Sequence, residues 1–244
     1  MSSVYSEDAL VEQPAIQLFS ELDWETYNAF NEFEQETSPL GRENKGEIVL
    51  TSRLLPALQE LNPDLPPEAF NEVINELSRD RSRLSPAEAN REIYDCLKNG
   101  VQIKIQSEDG GQSIEKAKVI DWDNPANNNF LLVSQFWVTG EMYTRRPDLI
   151  GFVNGLPLVL IELKATHKNL KTAYTDNLTD YRDTIPHIFW YNALVILSNG
   201  SQSVIGSSTA SWEHFAEWKK INSEGEEGVI SLETIIKGTC EKTR

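Results

Sequence analysis

The sequence predicts an α/β domain, a mixed β-sheet flanked by helices and preceded by a helical N-terminal part. Three observations predict it. Apolar residues recur at helical spacing from about residue 48 to 97, and the period shortens to two after Gly100. Further on, residues 193–197 form a wholly apolar run between Asn192 and Asn199-Gly200, which suits a strand buried on both faces.

The elements follow in chain order. Residues 6–22 predict a helix with an acidic outer face, Ser6 as N-cap and Glu7 and Asp8 in the first turn. A polar stretch then runs to Glu47. Leu54, Leu55, Leu58 and Leu61 form one helical stripe, and Phe70, Val73, Ile74 and Leu77 a second. Asn62-Pro63 and Pro66-Pro67 punctuate these helices, and Ser85-Pro86 starts a third. Residues 101–106 alternate, Asp109-Gly110-Gly111 marks a turn, and residues 117–121 and 130–138 predict strands. Residues 149–153 and 158–163 are hairpin arms joined by Asn154-Gly155. A helix is expected over about 170–183. The expected organisation is one domain over 1–244: a helical part to about 100, an α/β core over about 101–222, and an acidic boundary segment over 223–244.

Composition narrows the class. With 244 residues, 39% hydrophobic and 25% charged, the chain can bury one sizeable core or at most two small domains, and global disorder is not expected. Cys96 and Cys240 are too few for a disulfide framework, so the reducing cytoplasm is the expected compartment. Acids at Glu7 and Asp8 exclude a signal peptide, and no apolar run approaches a membrane span, so no membrane partner is expected. The net charge of -16 opposes nucleic-acid binding, because such binders gain affinity by neutralising phosphates. The acids are unevenly spread, however. Residues 1–50 hold eleven acids against two bases, whereas 141–190 hold six of each.

That locally neutral segment carries the chemistry. Phosphodiester hydrolysis needs a metal to polarise phosphate and generate hydroxide, with a group to relay or balance charge. Mg²⁺ takes oxygen ligands, so carboxylates on neighbouring strands make a suitable partial cage. Pro147-Asp148 begins the first arm of the hairpin, and Glu162 and Lys164 project from one face at the end of the second. Glu-x-Lys alone carries little weight, since Glu43-Asn-Lys45 and Glu217-Trp-Lys219 also occur. Neither of those follows a buried-type strand or faces an aspartate across a hairpin. The bland alternative is a solvated ion pair of marginal energy.

Register sets a condition. A two-residue turn pairs Val153 with Leu156, and regular pairing then sets Asp148 opposite Ile161, facing away from Glu162. A shared site requires a three-residue loop with Gly155 or Leu156 in a bulge, or Asp148 placed just before regular pairing begins. Pro157 favours such irregularity.

Pro147-Asp148 with Glu162-Leu163-Lys164 resembles the signature of the PD-(D/E)xK nuclease superfamily. The stretch from about 133 to 206 resembles the N-terminal nuclease region of type I restriction enzyme R (restriction) subunits. Its phrases Phe152-Val-Asn-Gly-Leu-Pro157 and Tyr191-Asn-Ala-Leu-Val-Ile-Leu-Ser-Asn-Gly200 carry that likeness. Upstream, Glu7 matches the family's first-helix carboxylate, and Val119-Ile-Asp-Trp its strand. The resemblance implies a restriction-endonuclease-like fold and a Mg²⁺-dependent endodeoxyribonuclease. Asp148, Glu162 and the Leu163 carbonyl would hold the metal, and Lys164 would position or activate water. Where the family has Gln-x-x-x-Tyr, this chain has Asn177-Leu-Thr-Asp-Tyr181, so Tyr181 carries over intact and Asn177 one methylene shorter. Glu7, Asn177 and Tyr181 are therefore accessory candidates.

The resemblance also implies double-stranded DNA as substrate, with modification and specificity subunits as partners. An ATP-driven motor, absent from this chain, would hold the DNA. Gly41 to Gly46 has phosphate-loop spacing, but Glu47 stands where lysine is required, so ATP belongs to the absent region. A repair or recombination nuclease of the same superfamily and a catalytically silent scaffold are the alternatives. Arg145, Arg146, His167 and Lys168 are candidate DNA contacts, the arginines equally suited to balancing nearby acids. His187 and His214 have no metal-ligand spacing with His167. Trp190, Trp212 and Trp218 are expected as core or interface anchors.

Overall fold

The computed structural model describes residues 11–34, 37–106 and 112–243. In chain order come helix α1 (Gln13–Glu21), strand β1 (Glu25–Asn28), helices α2 (Thr51–Leu61), α3 (Pro67–Ser78) and α4 (Pro86–Asn99), and strands β2 (Val101–Gln106) and β3 (Gln112–Ala117). Next are β4 (Phe130–Ser134), the short strands β5 (Val138–Thr139) and β6 (Thr144–Arg145), β7 (Leu149–Val153) and β8 (Leu156–Leu163). A π-helical segment, Ala173–Leu178, leads into α5 (Thr179–Thr184), followed by β9 (Leu194–Ser198), β10 (Ser203–Gly206) and α6 (Ser231–Thr239).

The main sheet has six strands in the order β1-β4-β7-β8-β9-β10. β1 runs parallel to β4, and β8 parallel to β9; the other pairings are antiparallel. This is the mixed sheet that the sequence predicts. Every residue of β7 and β8 is buried, as expected of central strands covered on both faces. The three helices expected over 48–97 form as α2, α3 and α4. Ser85 caps α4 through a reciprocal box: its hydroxyl accepts from the Glu88 amide at 3.3 Å, and the Glu88 carboxylate accepts from the Ser85 amide at 3.1 Å.

The strand expected over 130–138 ends at Ser134, where Gln135 turns left-handed at φ 58°, and resumes only as the short β5. Three further regions differ from expectation. β1 lies within the stretch expected to be merely polar. Its sequence, Glu-Thr-Tyr-Asn, is mostly exposed and lacks apolar alternation, because it is an edge strand held by its parallel ladder to β4. Trp24, just before it, packs edge-on to Phe19 at 5.0 Å and tilts against Phe130 at 5.0 Å. A Cβ at Gly151 would lie 3.2 Å from the Trp24 ring, so glycine there leaves room for the indole.

The strand expected over 117–121 is the second. β3 instead covers 112–117 and pairs residue for residue with β2, Val101 opposite Ala117. Val119 and Ile120 leave the ladder but stay buried, so their apolar character reflects core packing and not a strand. The third is the C-terminal segment. There α6 packs against α1 and β10 with Leu232, Ile235 and Ile236 fully buried, and the Trp24 indole donates to the Cys240 carbonyl at 3.0 Å. Acidic, glycine-bearing residues precede this helix and mask its apolar stripe. The Asp109-Gly110-Gly111 turn, and Ser6 with its expected cap, lie outside the described residues. Among the described residues no helix is long and apolar enough to cross a membrane.

Candidate active site

The hairpin of β7 and β8 sets the geometry. Asn154 and Gly155 form its turn with φ of 50° and 80°, the positive pair that a two-residue turn requires. The Asn154 side chain is fully buried. It donates to the Val119 carbonyl and to Asn128 Oδ1, both at 2.8 Å, and accepts from the Asn129 amide at 2.7 Å. A Cβ at Gly155 would lie 2.4 Å from the Leu50 carbonyl oxygen, so only glycine lets the entry of α2 close on the turn.

Val153 pairs with Leu156, as the two-residue turn demands. A bulge then intervenes. Phe152 faces Pro157 and Gly151 faces Val159, leaving Leu158 with no partner of its own on β7. Beyond it Leu149 pairs with Ile161, and one further step brings Asp148 level with Glu162. The register condition is thus met by an extra residue within β8, not by a longer loop. It sits beside Pro157, which has no N–H to offer a ladder.

The two carboxyl groups meet at this strand end. Asp148 Oδ2 accepts from the Leu163 amide at 2.8 Å, tying the two arms together. Glu162 is only 2% exposed, and Lys164 Nζ stands 3.6 Å from its Oε1. The Lys164 amide donates to the Ser198 carbonyl at 2.8 Å, which anchors this strand end to β9. Burial, reinforced by the neighbouring Asp148 charge, pushes the Glu162 carboxyl well above the usual carboxylate range; Lys164 and Tyr181 act in the opposite sense.

The helix after β8 completes the surroundings. Tyr181 donates to Glu162 Oε2 at 3.1 Å, and Asn177 Nδ2 reaches the Tyr181 hydroxyl at 3.5 Å. Asn177 therefore touches Tyr181 and lies one hydrogen bond removed from the carboxylate. It sits in the π-helical segment, whose wider turn departs from the regular helix expected there. Burial and the Glu162 charge raise the Tyr181 phenol above its ordinary range, keeping it a neutral donor.

Sequence reasoning missed Glu12. Glu7 lies outside the described residues, whereas Glu12, 7% exposed, immediately precedes α1 at this same end of the sheet. Its Oε2 accepts from Gln135 Nε2 at 2.7 Å, and the Gln135 amide donates to the Asp148 carbonyl at 2.8 Å. The available signal was a lone acid between Val11 and the apolar stripe Ala15, Leu18 and Phe19. Gln135 holds a left-handed conformation at φ 58°, bending the chain as it leaves β4.

The remaining candidates separate. Arg145 pairs with Asp180 on α5, with Nη2 2.8 Å from Oδ1. Arg146 stacks instead on aromatic rings. His167 and Lys168 lie exposed on the turn after β8. A cavity of about 1020 Å³ elsewhere in the domain is not this site. Glu47, Asp80, Glu141 and Asp183 line it with no lysine or arginine, a poor setting for phosphate. No group of three or more His, Cys, Asp or Glu residues is arranged to hold a metal ion among the described residues. A hard cation would thus find Asp148 and Glu162 as its acidic ligands and need peptide or water oxygens besides.

Residues 4–214 match the family described as the type I restriction enzyme R protein N terminus. The chain is 30% identical over 240 residues to the type I restriction enzyme HindI endonuclease subunit of Haemophilus influenzae, covering 95% of this chain and 22% of that protein. It is likewise 30% identical over 238 residues to the putative type I restriction enzyme MjaIXP endonuclease subunit of Methanocaldococcus jannaschii, covering 93% and 22%. The chain thus spans 22% of the length of these curated relatives. On the family match and these identities, the chain belongs to the family of type I restriction enzyme R protein N-terminal regions.

Proposed function

We propose that this chain is the metal-dependent endonuclease domain of a type I restriction R subunit, hydrolysing phosphodiester bonds in double-stranded DNA. One observation carries the reading: the β8 bulge brings Asp148 level with Glu162, and Lys164 stands 3.6 Å from that glutamate.

The residues fit a hard divalent cation such as Mg²⁺. Two carboxyl groups repel each other on adjacent strands, one deeply buried, with a single ammonium to offset them. Asp148 and Glu162 would hold the ion, with the Leu163 carbonyl as a third oxygen. When bound, the metal supplies Lewis-acid activation of phosphate and of water. Lys164 orients the attacking water and balances charge developing on the phosphate. Tyr181 fixes the Glu162 carboxylate through its hydroxyl, and Asn177 steadies Tyr181. Glu12 serves as a first-helix carboxylate, orienting Gln135 and through it the Asp148 backbone.

The net charge of -16 supports a division of labour in which an ATP-driven motor and the modification and specificity subunits grip the DNA and this domain cuts it. The test uses the full-length subunit assembled with those partners and carrying Lys164→Ala. Nicking of plasmid DNA falls at least about a hundred-fold, the scale for losing a positioned proton-transfer group, while ATP hydrolysis is unchanged. Undiminished nicking removes Lys164 from the mechanism. Calorimetric Mg²⁺ binding that disappears in Asp148→Ala separates the enzyme from a silent scaffold, which would bind no metal there.

A further inference from the structure

The site proposed above would take a scissile phosphate but offers nothing to a base. A second cluster lies beside it at the same end of the sheet. Phe30 follows the end of β1, Trp137 follows the end of β4, and Arg146 precedes β7 by three residues. β1 and β4 are parallel and β4 and β7 antiparallel, so all three residues emerge where Asp148 does. Arg146 lies 4.7 Å from the Phe30 ring centroid and 4.9 Å from that of Trp137, and Lys45 Nζ lies 4.5 Å from the Trp137 centroid. The Trp137 indole donates to the Phe30 carbonyl at 3.0 Å, fixing the two rings together.

In a chain with 38 acids and 22 lysines and arginines, some cations are tied to carboxylates. Arg145 takes Asp180, and the buried Arg42 beneath the cluster takes Glu32. Among the described residues, neither Lys45 nor Arg146 forms an ion pair; both rest on aromatic faces. Phe30 is 50% exposed, leaving part of its ring to solvent. A half-exposed ring beside cations without ion pairs is the chemistry of a single-strand platform, where bases stack and phosphates meet positive charge. A helix from a protein partner would need an apolar face here, and the cations interrupt one.

We propose that Phe30, Trp137, Lys45 and Arg146 form a binding site for an unpaired DNA strand, stacking a base on Phe30 and holding flanking phosphates at Lys45 and Arg146. β7 and β4 are neighbours and β1 is next, so the platform lies about 10 Å from Asp148 by strand spacing. The inference rests on the nuclease reading and deepens it: the domain takes a locally opened strand, not an undisturbed duplex.

The test is fluorescence anisotropy of a labelled oligothymidine with this chain at low salt in EDTA, where binding is read without cleavage. The expected result is saturable binding that Phe30→Ala weakens about ten-fold, within the range for losing one base–ring stack, and that Phe30→Trp restores. Lys45→Ala and Arg146→Ala each flatten the salt dependence by about 0.7, the single-strand value per phosphate contact. Lys104→Ala, on the separate β2–β3 hairpin, changes nothing. A duplex of equal length binds more weakly and is indifferent to Phe30→Ala. No saturable binding, equal binding by the Phe30 and Arg146 variants, or a duplex that loses as much as the single strand each overturns the platform. Asp148→Ala keeps the two readings apart, because it abolishes cleavage and leaves oligothymidine binding intact.

Discussion

Glu162 sits where a carboxylate is least comfortable, buried on a central strand with Asp148 beside it. That discomfort suits a cation site and costs the metal-free protein stability. Glu162→Gln keeps the shape and removes the charge, so the metal-free variant should be more stable in urea at pH 8 by about 1 kcal/mol, while Mg²⁺ binding is lost. A less stable variant would mean that Lys164 and Tyr181 already compensate the carboxylate. Tyr181→Phe should cost about 1 kcal/mol, the net value of a buried hydrogen bond, and weaken Mg²⁺ binding without abolishing it. Unchanged metal affinity would show that the hydroxyl does not orient Glu162. Glu162 and Lys164 stood out in the sequence because an acid and a lysine interrupt an otherwise apolar run, whereas Tyr181 was reached through the family resemblance. Glu12 was not legible, because what singles it out is its bond to Gln135, more than a hundred positions away in sequence.

At the scale of elements, the hairpin shows what a pattern can and cannot convey. Asn154-Gly155 between two apolar arms announces the turn, and the structure has it. The bulge at Leu158 leaves no such mark, since an unpaired leucine reads like a paired one. β1 escaped notice for a related reason: a short edge strand takes its order from its neighbour, not from its own side chains. The turn itself is tightly specified. Gly155→Ala places a methyl against the Leu50 carbonyl and forces alanine into a positive φ, so a loss of at least about 2 kcal/mol is expected by urea denaturation. A change under about 0.5 kcal/mol would show that the entry of α2 can yield.

Across the whole molecule, one core joins the helical N-terminal part, the sheet and α6, and composition foretold a core of that size without showing what closes it. The indole of Trp24 on the Cys240 carbonyl links the two ends of the described chain. The surface carries the acid excess, and the aromatic platform beside Asp148 interrupts it. Stability should follow pH through His187. Burial holds its imidazole below the ordinary value of about 6.5, and its Nε2 has no hydrogen-bond partner among the described residues. A depressed folded value means that the unfolded chain takes up the proton first. The contribution of His187 is therefore full above pH 6.5 and declines as pH falls toward the folded value, opposite in sign to that of Glu162. His187→Gln should flatten that part of the urea-midpoint profile; an unaltered slope would assign it to other groups.

The odd residue at Leu158 has a consequence for inheritance. Thirteen residues separate Asp148 from Glu162, and the hairpin keeps a parity. Losing or gaining one of them turns odd into even and sends the two carboxyl groups to opposite faces, however conservative the change looks on paper. A change of two preserves the site. Length variation in this arm should therefore come in pairs, or else coincide with loss of cutting.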